Sequence, residues 1–342
     1  MMKSYLRYEP GRSFGVIASV QSNVVYDWSG NVLLSASGDN VSLWNVRQGS
    51  LISSLTNESP SYPHSLTGEV QFIARSSDKL SIAVGYSTGE ICIFQYLKST
   101  TKFATLRGHS TGISSLAYNA DGTLLASGGR DSDIVIWDTT SLVGQCRLRG
   151  HKDAVTGVTF LPPNAYGGGA VGAGGGLTRV QSLVVSVSKD TLLKVWDLST
   201  QHCIQTIVGH RCEIWSLAIS ANNEQQVLDL ETAVQLEGNG SEVIRSGKKR
   251  KSPDNSSADT KIASLHQQQS YPLIFTGAAD DLLRAYSLVK KEDGETLISD
   301  SAEILEYAGC IKLSAEKVTH LELNSSGTML AALCGLKTIE VC

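Results

Sequence analysis

Long apolar runs are missing from this chain: nowhere in its 342 residues does one approach the ~18 residues that a membrane-crossing helix needs. The opening segment, Met1-Met2-Lys3-Ser4-Tyr5-Leu6-Arg7-Tyr8, lacks the apolar stretch of a secretory signal. Excess charge of one sign is missing too. Lys and Arg number 29 against 33 Asp and Glu, so the net charge of −4 gives no global attraction to nucleic acid, and any such contact must come from a local patch. Cysteine is sparse: seven residues, at 92, 146, 203, 212, 310, 334 and 342, form an odd set without regular spacing. This argues against a disulfide framework and for buried thiols in a reducing compartment inside the cell. Proline is scarce at 7 while glycine reaches 32, which favours abundant turns over long helices. Enzyme signatures are wanting as well, with no P-loop, no Gly-x-Ser-x-Gly elbow and no His-Glu-x-x-His.

What the chain does contain is a repeat. A Gly-His pair is followed, about thirty residues on in the first case, by Trp-Asp at the end of a short apolar strand. Gly108-His109 goes with Trp137-Asp138, Gly150-His151 with Trp196-Asp197, and Gly209-His210 with a degenerate Tyr286-Ser287. Self-similarity of this kind at a period of about 40–45 residues resembles the WD-repeat β-propeller, an all-β fold. Within one repeat, Ile113 to Tyr118 reads as an inner strand. A turn follows at Asn119-Ala120-Asp121-Gly122, where glycine supplies a positive φ at low cost. Leu124–Ser127, Ile134–Trp137 and Gln145–Leu148 complete four strands.

The aromatic or apolar residues that close the third strand fall at Trp44, Phe94, Trp137, Trp196, Tyr286 and Val341, at intervals of 50, 43, 59, 90 and 55 residues. Six blades are therefore expected, with insertions absorbing the excess length. One insertion, at about 162–178, is glycine-rich and follows an inner strand, so it is expected as a loop on one face. The other, at about 222–270, is polar and expected to be largely disordered. Phe14–Ala18 precedes the first blade and has no blade of its own. It is expected to close the last blade of the ring, and a truncated seven-bladed ring in a single domain over 1–342 is the favoured arrangement.

His109, Ser127, Asp131 and Trp137 resemble the hydrogen-bonded tetrad of WD repeats. Ser, His and Asp also suggest a hydrolytic triad, but the set returns as His151, Ser186, Asp190, Trp196 and as His210, Thr276, Asp280, Tyr286. A catalytic site occurs once, whereas a recurring buried network is structural. No catalytic, cofactor or metal site is expected. Gly167 to Gly172 matches G-x-G-x-x-G but is followed by more glycine rather than a helix, so it reads as a low-complexity loop. His202, Cys203, His210 and Cys212 lack the paired spacing of a zinc site. Lys248-Lys249-Arg250-Lys251 forms a compact basic patch suited to nuclear import, beside Ser252-Pro253, where phosphorylation would offset its charge. Trp44-Asn45-Val46-Arg47 resembles the Trp-Asp-x-Arg box of cullin-ligase substrate receptors, with Asn45 in place of Asp; an ordinary strand end is the favoured reading.

Several stretches go beyond the generic repeat. They include Tyr5 to Tyr8, Phe14 to Ile17, Ala83 to Tyr86, Asp131 to Asp138, Gly150 to Thr156, Lys189 to Thr191, Trp196 to Cys203 and Val208 to Arg211. Thr200-Gln201-His202-Cys203 is not demanded by blade geometry. Together these resemble the first propeller of the WD-repeat protein three / Utp-twelve family, a component of the UtpB subcomplex of the small-subunit processome. The resemblance covers about residues 1–220 well. It implies two tandem propellers and a C-terminal helical domain, of which this chain holds only the first propeller, incompletely. It further implies a nuclear, nucleolar scaffold that assembles with other UtpB subunits, U3 small nucleolar RNA and pre-rRNA, the RNAs mostly indirectly, for 18S rRNA maturation. Neither membrane nor small-molecule substrate is expected. The alternative is an adaptor propeller of another class, either a cullin-ligase substrate receptor or a signalling scaffold.

Overall fold

A computed structural model describes residues 13, 15, 18–19, 21–57, 68–96, 98–99, 101–162, 183–220, 273–280, 282–288, 304–313, 317–323, 330–334 and 338–341. Every regular element among them is a β-strand, and the strands form six antiparallel sheets. The first is β1 (Val24–Tyr26), β2 (Val32–Ser37), β3 (Asn40–Asn45) and β4 (Ser50–Leu55). The second is β5 (Val70–Arg75), β6 (Ser81–Tyr86), β7 (Glu90–Gln95) and β8 (Ala104–Arg107). The third is β9 (Ile113–Tyr118), β10 (Leu124–Gly129), β11 (Ile134–Asp138) and β12 (Val143–Leu148). The fourth is β13 (Val155–Phe160), β14 (Leu183–Ser188), β15 (Leu192–Asp197) and β16 (His202–Val208). The fifth is β17 (Ile214–Ile219), β18 (Leu273–Ala278), β19 (Leu282–Leu288) and β20 (Leu305–Lys312). The sixth has three strands, β21 (Val318–Leu323), β22 (Leu330–Cys334) and β23 (Thr338–Val341).

Each sheet is a meander in which neighbours in sequence are neighbours in space. Short turns make this possible. In the third sheet, the amide of Gly122 donates to Asn119 O at 3.1 Å and Gly122 adopts φ +72°, a left-handed conformation cheap for glycine. The six third-strand residues singled out by the repeat lie on β3, β7, β11, β15, β19 and β23. The register shifts by a bulge immediately before Trp44, Trp137 and Tyr286 in their pairing with the outer strand. Such bulges bend the strand and increase its twist.

The chain folds as two compact units, residues 1–161 with 181–204, and residues 162–180 with 205–342. In the first unit, apolar faces of consecutive sheets stack in pairs. Ile91, Ile93 and Leu106 of the second sheet pack on Ile113, Leu116, Leu125 and Trp137 of the third. Ile134, Ile136 and Leu148 of the third pack on Val155, Val158, Val184 and Trp196 of the fourth. The second unit has its own core, in which Phe275, Leu283 and Ala285 meet Val318, Leu321, Leu330 and Ala332. β14 is buried on both faces, and its two polar residues, Ser186 and Ser188, are buried with the rest. The glycine-rich stretch 163–178, the polar stretch 222–270 with its basic residues Lys248–Lys251, and Phe14, Val16 and Ile17 lie outside the described residues.

Candidate functional site

The residues singled out by the repeat come together in space three times. In the third sheet, Ser127 sits on β10 and Trp137 on β11, while His109 and Asp131 come from the connections that precede β9 and follow β10. Trp137 Nε1 donates to Ser127 Oγ at 2.8 Å, and Ser127 Oγ lies 2.8 Å from His109 Nε2. His109 Nδ1 is 2.9 Å from Asp131 Oδ1. In the fourth sheet the same distances are 2.8 Å from Trp196 to Ser186, 2.8 Å from Ser186 to His151, and 2.9 Å from His151 to Asp190. Proton inventory orders these chains. The indole can only donate, the carboxylate can only accept, so the neutral imidazole carries its hydrogen on Nδ1 and accepts from the serine at Nε2.

Electrostatics support that order. Burial lowers the His151 pKa and Asp190 only partly opposes it, keeping the ring neutral. Burial alone would raise Asp131 and Asp190. The amides of Ser110 and Lys152, both donating at 2.9 Å, and the facing imidazoles outweigh it and hold both carboxyls below their usual range. All these side chains except the two aspartates are essentially removed from water.

The glycine of each Gly-His pair has a steric reason. A Cβ at Gly108 would lie 2.7 Å from the Trp137 ring, and one at Gly150 would lie 3.1 Å from Trp196. Gly209 stands in the same relation to the Tyr286 hydroxyl.

The fifth sheet departs from the expected pattern. His210 Nε2 lies 2.8 Å from Thr276 Oγ1 and its Nδ1 lies 3.2 Å from Asp280. Tyr286 occupies the indole's place, but its hydroxyl is buried without a hydrogen-bond partner among the described residues. The expectation that Tyr286 joins the bonded set is therefore corrected. A phenol carries its donor at the ring's far tip, next to Gly209, whereas an indole carries it on the ring edge. Arg284 enters instead: its Nη1 donates to Asp280 Oδ2 at 2.7 Å and also touches His210 Nδ1. Burial, then the Arg284 charge, bring the His210 pKa down to about 4.

The first two sheets lack the histidine, and each does something different. In the first, Trp44 Nε1 still donates to Ser35 Oγ at 3.2 Å. In the second, Phe94 fills the position without a donor, and a polar cluster missed by sequence reasoning stands nearby. Cys92 Sγ donates to Asn57 Oδ1 at 3.2 Å, and Lys102 Nζ donates to the same oxygen at 3.0 Å. Burial pushes the Cys92 thiol up to about 11, so it stays protonated and unreactive at neutral pH.

The remaining candidates separate. His202 and Cys203 lie on β16, and both ring nitrogens of His210 are occupied by Asp280, Thr276 and Arg284. No cluster of metal-ligating residues exists among the described residues. Asn45 Oδ1 accepts the amides of Arg47 and Gln48, both at 3.0 Å, much as Asp138 Oδ1 accepts Thr140 at 2.8 Å. Trp44–Arg47 thus ends its strand with a local cap. Gly167 to Gly172 and Lys248–Lys251 lie outside the described residues.

Comparison with known proteins agrees with this geometry. U3 small nucleolar RNA-associated protein 12 of Saccharomyces cerevisiae is 28% identical over 232 residues, covering 64% of this chain and 22% of that protein. Transducin beta-like protein 3 of Mus musculus is 26% identical over 196 residues, covering 57% of this chain and 22% of that protein. Nuclear distribution protein PAC1 of Arthroderma otae is 34% identical over a shorter 109 residues, 31% of this chain and 22% of that protein. The match therefore spans about a fifth of each relative's length. Among solved structures, a chain from the crystal structure of the Mitotic Checkpoint Complex aligns with a TM-score of 0.61 and 17% identity, covering 93% of this chain and 74% of that one. At that identity the likeness bears on fold alone. The pattern of the WDR3 first beta-propeller domain matches residues 31–230, more than half of the sequence. The all-β WD-repeat fold, the meandering four-stranded blades and this match agree, and the chain belongs to the family of the WDR3 first beta-propeller domain.

Proposed function

We propose that this chain is a non-catalytic scaffold of the small-subunit processome, acting in the nucleolus in 18S rRNA maturation and small ribosomal subunit biogenesis. The observation that carries the reading is the family match over residues 31–230, joined by the relative named for its association with U3 small nucleolar RNA. Its partners are other UtpB subunits, with U3 small nucleolar RNA and pre-rRNA held mostly through them. At a net charge of −4, direct affinity for RNA is weak and strongly salt-dependent. A single propeller over 1–342, with the two insertions as loops, belongs to the same proposal, as does nuclear import through Lys248–Lys251.

The His–Ser/Thr–Asp sets are structural in this reading. Three copies of one buried arrangement support it, since each of them consumes its own hydrogen-bonding capacity internally. The test uses the full-length gene product. Tagged protein should concentrate in the nucleolus and co-purify with U3 RNA, and its depletion should leave 18S precursors uncleaved near their 5′ end while large-subunit rRNA accumulates normally. Normal 18S levels after depletion, or tagged protein confined to the cytoplasm beside a cullin ligase, would refute the proposal.

A further inference from the structure

Arg130 stands out in the first unit as an exposed cation held in place by neutral groups. It follows β10 in the turn to β11, and its backbone amide donates to Gly112 O at 3.0 Å. Its Nη2 donates to Gln21 Oε1 at 3.0 Å, across a separation of 109 residues. It also donates to Gln71 Oε1 at 3.2 Å, while Gln71 Nε2 donates to Ile113 O at 3.1 Å. That amide orientation follows from the network, because the opposite one would set oxygen against oxygen and nitrogen against nitrogen. Gln71 is itself buried on β5, and a Cβ at Gly112 would lie 2.5 Å from its amide. The guanidinium is therefore anchored by Gln71 of β5, itself held by Ile113 of β9, and by Gln21 from the segment before β1.

Both hydrogens of Nη2 are consumed by this anchoring, and Nε and Nη1 have no acceptor among the described residues. Nor does Arg130 have a carboxylate partner there. Asp131 faces His109 and Ser110, and Asp133 pairs with Arg147 at 2.8 Å and Arg149 at 3.5 Å. A cation fixed by uncharged amides keeps its full charge, and holding its rotamer in advance lowers the entropy lost when an anion binds.

We propose that Arg130, positioned by Gln21 and Gln71, is a binding site for a carboxylate of an acidic polypeptide partner. A polypeptide is favoured over nucleic acid because the turns packed around Gly112, which holds the Arg130 amide, bring no second cation. Ser87-Thr88-Gly89 is neutral, and Gly108 to Gly112 carries only the buried His109. Lys189, on the corresponding turn of the fourth sheet, already has a partner within the protein. A phosphate backbone needs several cations in a row, whereas a single carboxylate needs one fixed charge with a free N–H, which Nε and Nη1 still offer. The site stands independently of the processome reading, so its loss and the loss of 18S maturation are separable results.

The test is a side-chain NMR titration of the full chain labelled with ¹⁵N-arginine. The probes are a blocked ten-residue peptide of alternating Glu and Ala, and a ten-nucleotide oligouridylate. The peptide should shift the Arg130 Nε–H signal saturably. Arg130→Gln should weaken peptide binding about tenfold, the value expected of a charge-assisted hydrogen bond, while melting within a degree or two of the parent. Gln21→Ala, which removes one of the two anchors of the guanidinium, should weaken it less. Were Arg130→Gln to melt early, the Nε–H shift in the unaltered chain decides alone. An unmoved Arg130 signal, equal binding by Arg130→Gln, or tighter Arg130-dependent binding of the oligouridylate would overturn the proposal.

Discussion

Removing one oxygen from Ser127 tests the hydrogen-bonded chain most directly. The Ser127 side chain is fully buried, accepts from Trp137 Nε1 at 2.8 Å, and meets His109 Nε2 at the same distance. Ser127→Ala changes the packed volume little but strands two buried polar atoms, the indole N–H and the imidazole nitrogen. Each orphan costs about 1–3 kcal/mol, so the loss should total about 2–6 kcal/mol. The same change at Ser186 should give a similar figure, because its bonds to His151 and Trp196 have the same lengths. Ser35→Ala should cost clearly less, since Ser35 meets a half-buried Trp44 at 3.2 Å and no histidine. Urea unfolding followed by tryptophan fluorescence and far-ultraviolet circular dichroism reads all three. Adding Trp137→Phe to Ser127→Ala should cost less than the sum of the single changes, because the indole orphan disappears with the indole. A Ser127→Ala loss below about 0.5 kcal/mol, or one no larger than that of Ser35→Ala, would show that the bonds contribute nothing to folding.

Four further outcomes follow from the same geometry. Tyr286→Phe should be neutral or slightly stabilising, because it deletes an unpartnered hydroxyl; Trp196→Phe should destabilise, and equal losses in urea unfolding would contradict an unbonded phenol in the fifth sheet. His210, with a pKa near 4 when folded against 6.5 for a freely solvated histidine, contributes stability that is complete above pH 6.5 and is lost as pH falls from there through 4. The loss amounts to about 3 kcal/mol, and it should vanish from a pH series of melting curves in His210→Gln. Gly129→Ala should disrupt the third-sheet chain outright, since a Cβ there collides with both His109 Nδ1 and Asp131 Oδ1; an unchanged melting temperature would refute this. In the second unit, Gln205 receives the amides of Ile304 and Leu305 at 2.9 and 2.8 Å and returns a bond to Leu305 O at 2.8 Å, so Gln205→Ala should expose the start of β20 to faster amide exchange, and unaltered exchange there would count against the clasp.

The parts of the fold that sequence reading reached are those set by short-range repetition. Trp137 and Trp196 announce their strands because the indole needs a glycine to lie against and a hydroxyl to donate to, and the hydroxyl comes 10 residues before each of them. Long-range partners leave no such trace. Nothing near Gln21 in the chain foretells Arg130, 109 residues away, and Gln205 reads as an ordinary outer-strand residue until Leu305 is placed beside it. The fifth sheet misled for a subtler reason. Tyr286 is the right size for the indole's place, and only the position of its donor on the ring and the approach of Arg284 change the chemistry. Asn57 and Cys92 were illegible because the second sheet keeps none of the recurring polar residues that would have drawn attention to it.

The directional order of hydrogens in the third and fourth sheets has a consequence for observing the molecule. An indole hydrogen pinned against a buried serine cannot trade places with solvent deuterium until its own sheet opens. Trp137 and Trp196 are thus two isolated clocks, each wound by one blade. Their resonances lie in an uncrowded part of a nitrogen–proton spectrum, and the difference between their exchange lifetimes would measure how independently adjacent blades breathe, without any substitution.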